Sequence, residues 1–310
     1  MKKDKVNIIF MGSPEFAVPT LYKLHQEFGI KVVVTAPDKP QGRGKKLQPT
    51  AVKKMALELN LPVLQPEKLK DPEFIEKLRS FEPDIICVLA FRILPEEVFK
   101  LAKIASFNIH ASLLPAYRGA APINWAIING EKETGLTSFI LEKKVDTGNI
   151  LLQQRIEIPQ GATAGDLHDI MMPLAAQMAV DTCKLLINNN YTLIPQDETK
   201  SSLAPKIFPD MCKIKWHLHA EQVCNFINGM SPYPGAWTLW NNQRVKFLRA
   251  NYSSCAKNTS GTFWIEKDKL FVQCDKGIVN ILELQFPGKK IVKTSEFIKG
   301  YRGELKGKFD

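Results

Sequence analysis

The first 35 residues contain a β-α-β pattern, which restricts the fold of the chain more than any other feature of its sequence. Apolar runs at residues 6–10 and 30–35 predict two buried strands. Between them, Ser13 is a suitable N-cap and Pro14 a suitable first residue for a helix that ends near residue 28. Strands that are connected through a helix lie parallel in one sheet. The sequence therefore predicts an α/β fold that is built on a parallel sheet.

The same succession of helices and strands continues to about residue 190, where three asparagines are a good stop for the last helix. We therefore predict a first domain at residues 1–190. Its further helices are predicted near 50–60, 74–81, 122–128 and 165–188, and its further strands near 84–91, 104–109, 136–141 and 150–158.

The strand predicted at 104–109 ends beside two polar residues, Asn108 and His110. Residues i and i+2 of a strand project from the same face, so their side chains lie close together. An amide that stabilises an oxyanion and an imidazole that moves a proton suit a carbonyl carbon under attack. Asp146, from the separate Asp-Thr-Gly loop 146–148, would orient that imidazole. A structural histidine and an ordinary turn are the alternative interpretation of these residues.

Several other functions are not favoured. The first strand is followed neither by G-x-G-x-x-G nor by G-x-x-x-x-G-K-[ST], which argues against nicotinamide cofactors and nucleoside triphosphates. His217 and His219 have no partner at zinc-site spacing, so no metal is predicted.

The apolar runs are strand-length and the first residues lack the apolar core of a signal peptide, so we predict neither a membrane span nor export. Six cysteines without a C-x-x-C pair indicate reduced thiols of a cytosolic protein.

The positive charge is concentrated in the second part of the chain. The formal net charge is +10; residues 1–190 carry 24 Lys and Arg against 21 Asp and Glu, whereas residues 191–310 carry 18 against 11. An excess of this kind favours a polyanionic partner, of which nucleic acid is the most common. A generally basic cytosolic protein is the alternative.

The sequence changes character after residue 190. Residues 191–208 are polar and interrupted by prolines, which predicts a linker. One helix is predicted near 220–229, and β-rich runs lie at 236–240, 244–250, 261–265, 270–274 and 278–285. Short strands at this spacing are typical of a small barrel or a sandwich. We therefore predict a second domain at residues 209–310.

Motifs spread along nearly the whole chain resemble those of the methionyl-tRNA formyltransferases. The segment from Asn108 to Pro115, with Asp146 downstream, is typical of formyl-folate enzymes as a group. The glycine-hinged loop 42–47 and the basic second domain are similar to the branch that acts on tRNA. The other matching segments are Phe10-Met11-Gly12-Ser13-Pro14-Glu15-Phe16, Arg118-Gly119-Ala120-Ala121-Pro122, Gln196-Asp197-Glu198 and Ser231-Pro232-Tyr233-Pro234.

The resemblance implies a fold and a reaction. The fold is a Rossmann-like formyltransferase domain with a mostly parallel sheet, followed by a smaller OB-like β-barrel domain that binds tRNA. The reaction moves a formyl group from 10-formyltetrahydrofolate to the α-amine of initiator methionyl-tRNA through a tetrahedral intermediate, with no metal. The catalytic residues of the family fall on Asn108, His110 and Asp146. The resemblance further implies a monomeric, cytoplasmic enzyme of translation initiation.

The resemblance also implies binding residues. The folate pocket would be lined by two segments, Ser112-Leu113-Leu114-Pro115 and the residues Phe91, Ile93 and Leu94. The second segment lacks the glycine that follows the aromatic residue in many relatives, since Arg92 stands there. Arg43, Lys45 and Lys46 of the loop 42–47 would contact the acceptor end of the tRNA, where cationic side chains reach phosphates and frayed bases.

Two other functions are kept as alternatives. A formyltransferase that acts on a nucleotide amino sugar or another small amine would use the same three catalytic residues. A nucleic-acid-binding protein with an inactive first domain would have the basic second domain, but it would not need Asn108, His110 and Asp146 together.

Overall fold

The structure is a computed structural model that describes residues 6–41, 46–254 and 259–309. The chain forms two compact units. The N-terminal unit comprises Met1–Gly119, Gly135–Ile156 and His168–Leu203, and the C-terminal unit comprises Ala120–Thr134, Glu157–Leu167 and Ala204–Asp310. Each unit is assembled from three stretches of chain. Compact units do not test where a domain ends along the sequence, so the limits 1–190, 191–208 and 209–310 stay a prediction.

The helices and strands of the first 190 residues agree with the sequence in kind and, within a few residues, in place. They are β1 (Ile8–Gly12), α1 (Val18–Phe28), β2 (Ile30–Val34), β3 (Lys39–Gln41), β4 (Lys46–Gln48), α2 (Ala51–Glu58), β5 (Val63–Leu64), α3 (Pro72–Arg79), β6 (Ile85–Leu89), α4 (Glu96–Phe99), β7 (Ala105–His110), α5 (Pro122–Ile128), β8 (Glu133–Ile140), β9 (Ile150–Glu157) and α6 (Ala164–Ile187). Only the short elements β3, β4, β5 and α4 lack a counterpart in the sequence prediction.

A seven-stranded sheet forms the centre of the N-terminal unit, in the order β5-β2-β1-β6-β7-β8-β9. The pairs from β5 to β7 are parallel, and β8 is antiparallel to β7. Every residue of β1 and β6 is buried, as expected for parallel strands that are covered on both faces. The predicted Rossmann-like fold with a mostly parallel sheet is therefore confirmed.

The turn after β1 differs from the prediction. Pro14 is the N-cap of a one-turn 3-10 helix, and α1 begins only at Val18. The Ser13 hydroxyl accepts the backbone N–H of Ala36 at 3.1 Å. The prediction that Ser13 caps the first helix is wrong, because a contact distant in sequence uses the oxygen that a cap would need.

Among the described residues, α6 is the one helix that is long and apolar enough to cross a membrane by length and composition. Half of its most apolar window (50%) is buried inside the protein. Leu167, Met171 and Ala175 are fully buried, and Pro173 lies inside the helix. A helix in the core of a globular protein passes the same test of length and composition.

The C-terminal unit contains a curled antiparallel half-barrel, as expected for the predicted small barrel domain. Its elements after residue 190 are α7 (Ala220–Gly229), β10 (Ala236–Trp240), β11 (Gln243–Ser253), β12 (Thr262–Glu266), β13 (Lys269–Gln273), β14 (Ile278–Gln285), β15 (Val292–Lys293), α8 (Thr294–Gly300) and β16 (Lys306–Lys308). The strand order is β10-β11-β14-β13-β12-β16, and β15 pairs with β14. The sequence does not predict β15, α8 and β16, because these elements are short and mostly polar.

An aromatic cluster fills the C-terminal unit. The ring of Trp240, at the end of β10, lies 5.2 Å from that of Phe263, 5.4 Å from Phe309 and 5.5 Å from Tyr301, between centroids. Phe263 and Phe309 stack at 4.5 Å. Two of the contributing residues follow elements that the sequence does not predict, since Tyr301 comes after α8 and Phe309 after β16.

Candidate active site

Asn108 and His110 lie on β7, an interior strand of the main sheet. Asn108 pairs with Val88 of β6 on one side and with Phe139 of β8 on the other, and His110 pairs with Thr137. The two side chains therefore share one face of the strand, as their spacing predicts. His110 is only 6% exposed, and Asn108 is partly buried.

The contacts of His110 determine which ring nitrogen donates a hydrogen bond within the protein. Its Nε2 lies 2.8 Å from the backbone carbonyl oxygen of Tyr117. A carbonyl only accepts hydrogen bonds, so Nε2 carries a hydrogen and donates it. The other nitrogen, Nδ1, lies 3.8 Å from Oδ2 of Asp146. This distance is longer than a hydrogen bond, so Nδ1 and the carboxylate face each other without a direct contact.

Asp146 lies in a loop whose conformation depends on two glycines, Gly119 and Gly148. Its φ is +56°, a conformation that few residues other than glycine adopt but that aspartate tolerates. The backbone N–H of Gly119 donates to Oδ2 of Asp146 at 2.9 Å. A Cβ at Gly148 would overlap the carbonyl oxygen of Ile140, so the third residue of the Asp-Thr-Gly motif must be glycine. The motif is therefore a close turn against β8.

Two residues that were not predicted as site residues, Gln196 and Arg118, hold this loop. The amide Nε2 of Gln196 donates to the carbonyl oxygens of Asp146 at 2.9 Å and of Gly148 at 2.8 Å. Oε1 of Gln196 accepts from Nε and Nη2 of Arg118 at 3.1 and 2.6 Å. Both residues belong to motifs that carry the resemblance, but nothing in the local sequence indicates that they meet.

Arg118 is almost fully buried (7% exposed) and also bonds a carboxylate. Its Nη1 and Nη2 donate to the two oxygens of Glu198 at 2.9 and 2.8 Å. This bidentate hydrogen bond from Arg118 holds the pKa of the Glu198 carboxyl below its ordinary value. Residues 196 and 198 lie in the segment predicted to be a linker, so this part of the segment packs against the site.

Asn108 differs from the other two predicted catalytic residues. Among the residues that the structure describes, its side chain has no hydrogen-bond partner, whereas His110 and Asp146 are both bonded to backbone groups. An amide that is partly buried and not engaged within the protein can donate to a ligand without first breaking a bond.

The first of the two segments predicted to bind folate, residues 112–115, is held in place by hydrogen bonds within the protein. The Ser112 hydroxyl donates to the carbonyl oxygen of Ala116 at 2.6 Å, and Gln153 donates to that of Leu114 at 2.8 Å. Ser112 is fully buried and Leu114 is 3% exposed, within a cluster of apolar residues. A ligand at this segment would therefore meet the partly buried Leu113 and Pro115 rather than the side chains of Ser112 and Leu114.

The second predicted folate segment is arranged around Arg92. Phe91 and Leu94 pack against the core of the N-terminal unit, whereas Ile93 is 74% exposed. The Arg92 guanidinium lies 5.2 Å from the Phe91 ring centroid and donates to the carbonyl oxygens of Pro66 and Glu67 at 2.7 and 2.9 Å. Burial lowers the pKa of Arg92. Residues 92–94 of this segment line a cleft of about 490 Å³ together with residues 68–70 and 95.

The basic loop is largely outside the described part of the chain. Arg43 and Lys45 lie outside the described residues, so their contacts with tRNA stay a prediction. Lys46 is the first residue of β4, but its side chain is not described.

The thiols and the metal-ligating side chains form no reactive centre in the part of the chain that the structure covers. Five cysteines are free and buried, and burial raises the pKa of the Cys224 and Cys274 thiols to about 12. Thiols of this kind are inert near neutral pH. Residues 6–41, 46–254 and 259–309 contain no group of three or more His, Cys, Asp or Glu side chains that could hold a metal ion. Cys255 lies outside the described residues.

Comparison with known proteins identifies both parts of the chain. Residues 4–183 match the family described as formyl transferase, and residues 206–302 match the family described as formyl transferase, C-terminal domain. Solved structures share the fold at low identity. They include WlaRD, a sugar 3N-formyltransferase (TM-score 0.69, 22% identity, covering 93% of this chain and 100% of that one), and an N-formyltransferase from Helicobacter canadensis (0.68, 19%, 89% and 98%).

Relatives of much higher identity match over nearly the full length. A methionyl-tRNA formyltransferase of Clostridium novyi (strain NT) is 43% identical over 304 residues, which are 97% of this chain and 98% of the relative. A methionyl-tRNA formyltransferase of Bacteroides fragilis is 42% identical over 313 residues, 97% of each protein. With two formyl transferase domains and relatives of this identity over 97% of its length, the chain belongs to the methionyl-tRNA formyltransferase family.

Proposed function

We propose that this enzyme transfers a formyl group from 10-formyltetrahydrofolate to the α-amine of initiator methionyl-tRNA, as part of translation initiation. The name of the relatives supports the acceptor. The observation that carries the proposal is the position of Asn108, His110 and Asp146 in the N-terminal unit. An unengaged amide lies on the same face of β7 as an imidazole whose second nitrogen faces a carboxylate.

The chemistry is the attack of an amine on an amide-like carbonyl. The amine nitrogen forms a bond to the formyl carbon, and the carbonyl electron pair moves to the oxygen. Collapse of the tetrahedral intermediate breaks the bond to N10 of the folate, which takes up a proton as it leaves. The α-amino group has a reference pKa of about 7.7–8.0, so a useful fraction attacks as the free base near pH 7. The reaction requires no metal ion and no covalent nucleophile.

We assign to Asn108 and His110 the stabilisation of the formyl oxygen, which becomes negatively charged in the tetrahedral intermediate. The Asn108 amide donates to it, and loss of one such donor costs about 3 kcal/mol of the barrier. His110 acts through Nδ1, because Tyr117 occupies Nε2. Asp146 stabilises the protonated imidazole and accepts the proton that the amine loses. The backbone N–H of Gly119 keeps the carboxylate directed towards His110.

We assign the folate to two segments, 91–94 and 112–115, which precede and follow Asn108 and His110 in the chain. Leu113, Pro115, Phe91, Ile93 and Leu94 supply apolar contacts to the flat pterin, while the buried Ser112 and Leu114 fix the shape of the segment. The segment 91–94 follows β6, whose Val88 pairs with Asn108, so it begins at the same edge of the sheet as the catalytic residues. The solved sugar formyltransferase WlaRD was studied in the presence of 5-N-formyl-THF, which supports a folate donor in this fold.

The tRNA is assigned to the basic parts of the chain. Arg43, Lys45 and Lys46 would contact the acceptor end, and the OB-like domain at 209–310 would bind the rest of the molecule through its excess of Lys and Arg. We further assign the enzyme to the cytoplasm as a monomer. Five buried thiols with no disulfide among the described residues agree with a reducing compartment.

Parallel formylation assays with two acceptors test the proposed function. The purified protein is supplied with 10-formyltetrahydrofolate and either methionyl-tRNA or a nucleotide amino sugar, and formyl transfer is measured as a function of acceptor concentration. We expect transfer to methionyl-tRNA that weakens with added salt, because phosphate contacts are screened. Transfer to the sugar alone would contradict the tRNA assignment and support the alternative acceptor.

A further inference from the structure

The position of Asp146 depends on groups that are distant in the sequence. Its backbone has a positive φ, and no regular element contains it, since β8 ends at Ile140 and β9 begins at Ile150. A catalytic carboxylate must be held within a fraction of an ångström of its working position. The contacts that hold this loop therefore decide whether the carboxylate is useful.

Gln196 makes the contacts that fix the backbone of the loop. Its Nε2 donates to the carbonyl oxygens of Asp146 and Gly148, and its Oε1 accepts two N–H groups of Arg118. Only one orientation of the amide satisfies all four contacts, because carbonyls only accept and guanidinium groups only donate. The surroundings of Gln196 therefore determine the orientation of its amide group.

Arg118 connects this backbone contact with the carboxylate itself. Gly119, the next residue, donates its N–H to Oδ2 of Asp146 at 2.9 Å. The buried guanidinium of Arg118 thus orients the Gln196 amide, and the next residue, Gly119, donates to the Asp146 carboxylate. Glu198 balances the charge of Arg118 with a bidentate pair. The main chain and the side chain of Asp146 are held by the same group of residues.

We propose that Gln196 is a positioning residue for catalysis, which holds Asp146 where its carboxylate faces Nδ1 of His110. This proposal rests on the proposed function, because it assumes that Asp146 takes part in formyl transfer. The hydrogen bonds of Gln196 to the loop go to the carbonyl oxygens of Asp146 and Gly148 and not to the Asp146 carboxylate, so its effect passes through the backbone of the loop. A shift of the carboxylate by about 1 Å would cost on the order of 100-fold in rate.

The substitution Gln196→Glu tests this contact with a minimal change. The new carboxylate keeps an acceptor for Arg118, but it places an oxygen against the carbonyls of Asp146 and Gly148, where the amide donated. We expect kcat at saturating substrates to fall by about 100-fold, with the KM for the folate changed by less than about threefold. A role in folate binding would instead raise KM.

Gln273→Glu is a matched control in the other unit. Gln273 of β13 is fully buried, and its Nε2 likewise donates to two carbonyl oxygens, those of Cys274 and Gly277, at 2.8 and 2.9 Å. The same chemical change should lower the Tm of this variant and leave kcat near the wild-type value. A drop of kcat that merely followed loss of stability would appear in both variants.

Gln196→Met is the second variant, measured whether or not Gln196→Glu folds. It removes all four hydrogen bonds without adding a charge. We expect the ring nitrogen resonances of His110, assigned with a His110→Ala sample, to shift in Gln196→Met and to stay in place in Gln273→Glu. A kcat within about threefold of wild type, or unchanged His110 resonances, in Gln196→Met would overturn the proposal.

The proposed function fails by a different result. A wild-type protein that does not formylate methionyl-tRNA, or an Asp146→Asn variant with wild-type turnover, would contradict the assignment of the reaction or of Asp146. An active wild type, an inactive Asp146→Asn and a fully active Gln196→Met would overturn only the positioning role of Gln196.

Discussion

The surroundings of Asp146 and those of Trp240 are organised by different forces. Around Asp146, in the N-terminal unit, hydrogen bonds from Gln196, Arg118 and Gly119 hold a loop of polar groups. Around Trp240, in the C-terminal unit, five aromatic rings lie within 6 Å, centroid to centroid.

This difference shows that the exact position of a side chain matters around Asp146, whereas the buried volume of the side chains matters around Trp240. Hydrogen bonds are directional, so a polar network can hold one carboxylate in one place. Packed rings are less directional and stabilise a unit mainly through the apolar area that they bury. Substitutions near Asp146 should therefore change turnover more than stability, and substitutions near Trp240 should do the reverse.

His110→Ala is expected to have the largest effect on turnover. Removal of the imidazole eliminates a group that stabilises the oxyanion and the group that the Asp146 carboxylate faces as it accepts the proton, so we expect kcat to fall by about 10⁴-fold. Binding of methionyl-tRNA, measured by filter retention, should stay near the wild-type value because His110 is buried and is not one of the basic residues assigned to the tRNA. A variant that turns over within a few fold of wild type would remove His110 from the chemistry.

Trp240→Ala is the corresponding test of the aromatic cluster. Truncation of a large buried side chain (Trp240 is 3% exposed) typically costs about 3–5 kcal/mol of unfolding free energy, measured by urea denaturation. Trp264→Ala is the control, since Trp264 of β12 is only partly buried and, among the described residues, has one ring contact, a stack on Phe271. Equal losses in the two variants would show that the cluster does not hold the C-terminal unit together.

Asn108→Ala separates catalysis from stability most clearly. The Asn108 side chain has no hydrogen-bond partner among the residues of the described part of the chain, so its removal should change the unfolding free energy by less than about 0.5 kcal/mol. We expect kcat to fall by about 100-fold, as for the loss of one oxyanion donor. Unchanged turnover combined with lowered stability would mean that Asn108 is structural.

The smallest expected effect is a pH dependence of stability in the C-terminal unit. Burial disfavours the charged form of Asp166, but hydrogen bonds from Thr163 and Arg249 outweigh it, so its pKa lies below the ordinary value. A lowered folded-state pKa stabilises the protein above the unfolded pKa, and this stabilisation is lost as the pH falls below about 4.

The matched variant for this pH effect is Asp166→Asn. Below about pH 4 the unfolding free energy of wild type should fall more steeply than that of Asp166→Asn, by at most about 1 kcal/mol, because the pair is partly exposed. Parallel urea titrations from pH 7 to pH 3 would measure it. Identical slopes would show that the ion pair with Arg249 adds nothing to stability.

Much of the fold and part of the site follow from local sequence patterns. The helices α6 and α7 and the strands β2, β10 and β14 lie within two residues of their predicted places, because apolar periodicity over five or more residues reflects which face is buried. The common face of Asn108 and His110 follows from the i, i+2 geometry of a strand alone.

Other features required contacts between distant parts of the chain. Gln196 lies 48 and 50 residues from the two carbonyls that it binds and 78 residues from Arg118. Such pairings leave no local pattern, which explains why 191–208 is predicted as a linker. The short polar elements α8 and β16 were missed for a related reason, since their formation depends on docking to β14 and β12.

By itself, the sequence determined the parallel sheet, a second domain of short strands and the strand that presents an amide and an imidazole on one face, because these depend on periods of two and 3.6 residues. Only the tertiary structure decided that Tyr117 binds Nε2 of His110, that Ser112 and Leu114 turn into the core, and that Gln196 and Arg118 hold Asp146. The physical reason is that hydrogen bonds and close packing depend on distances in space, which local periodicity does not encode.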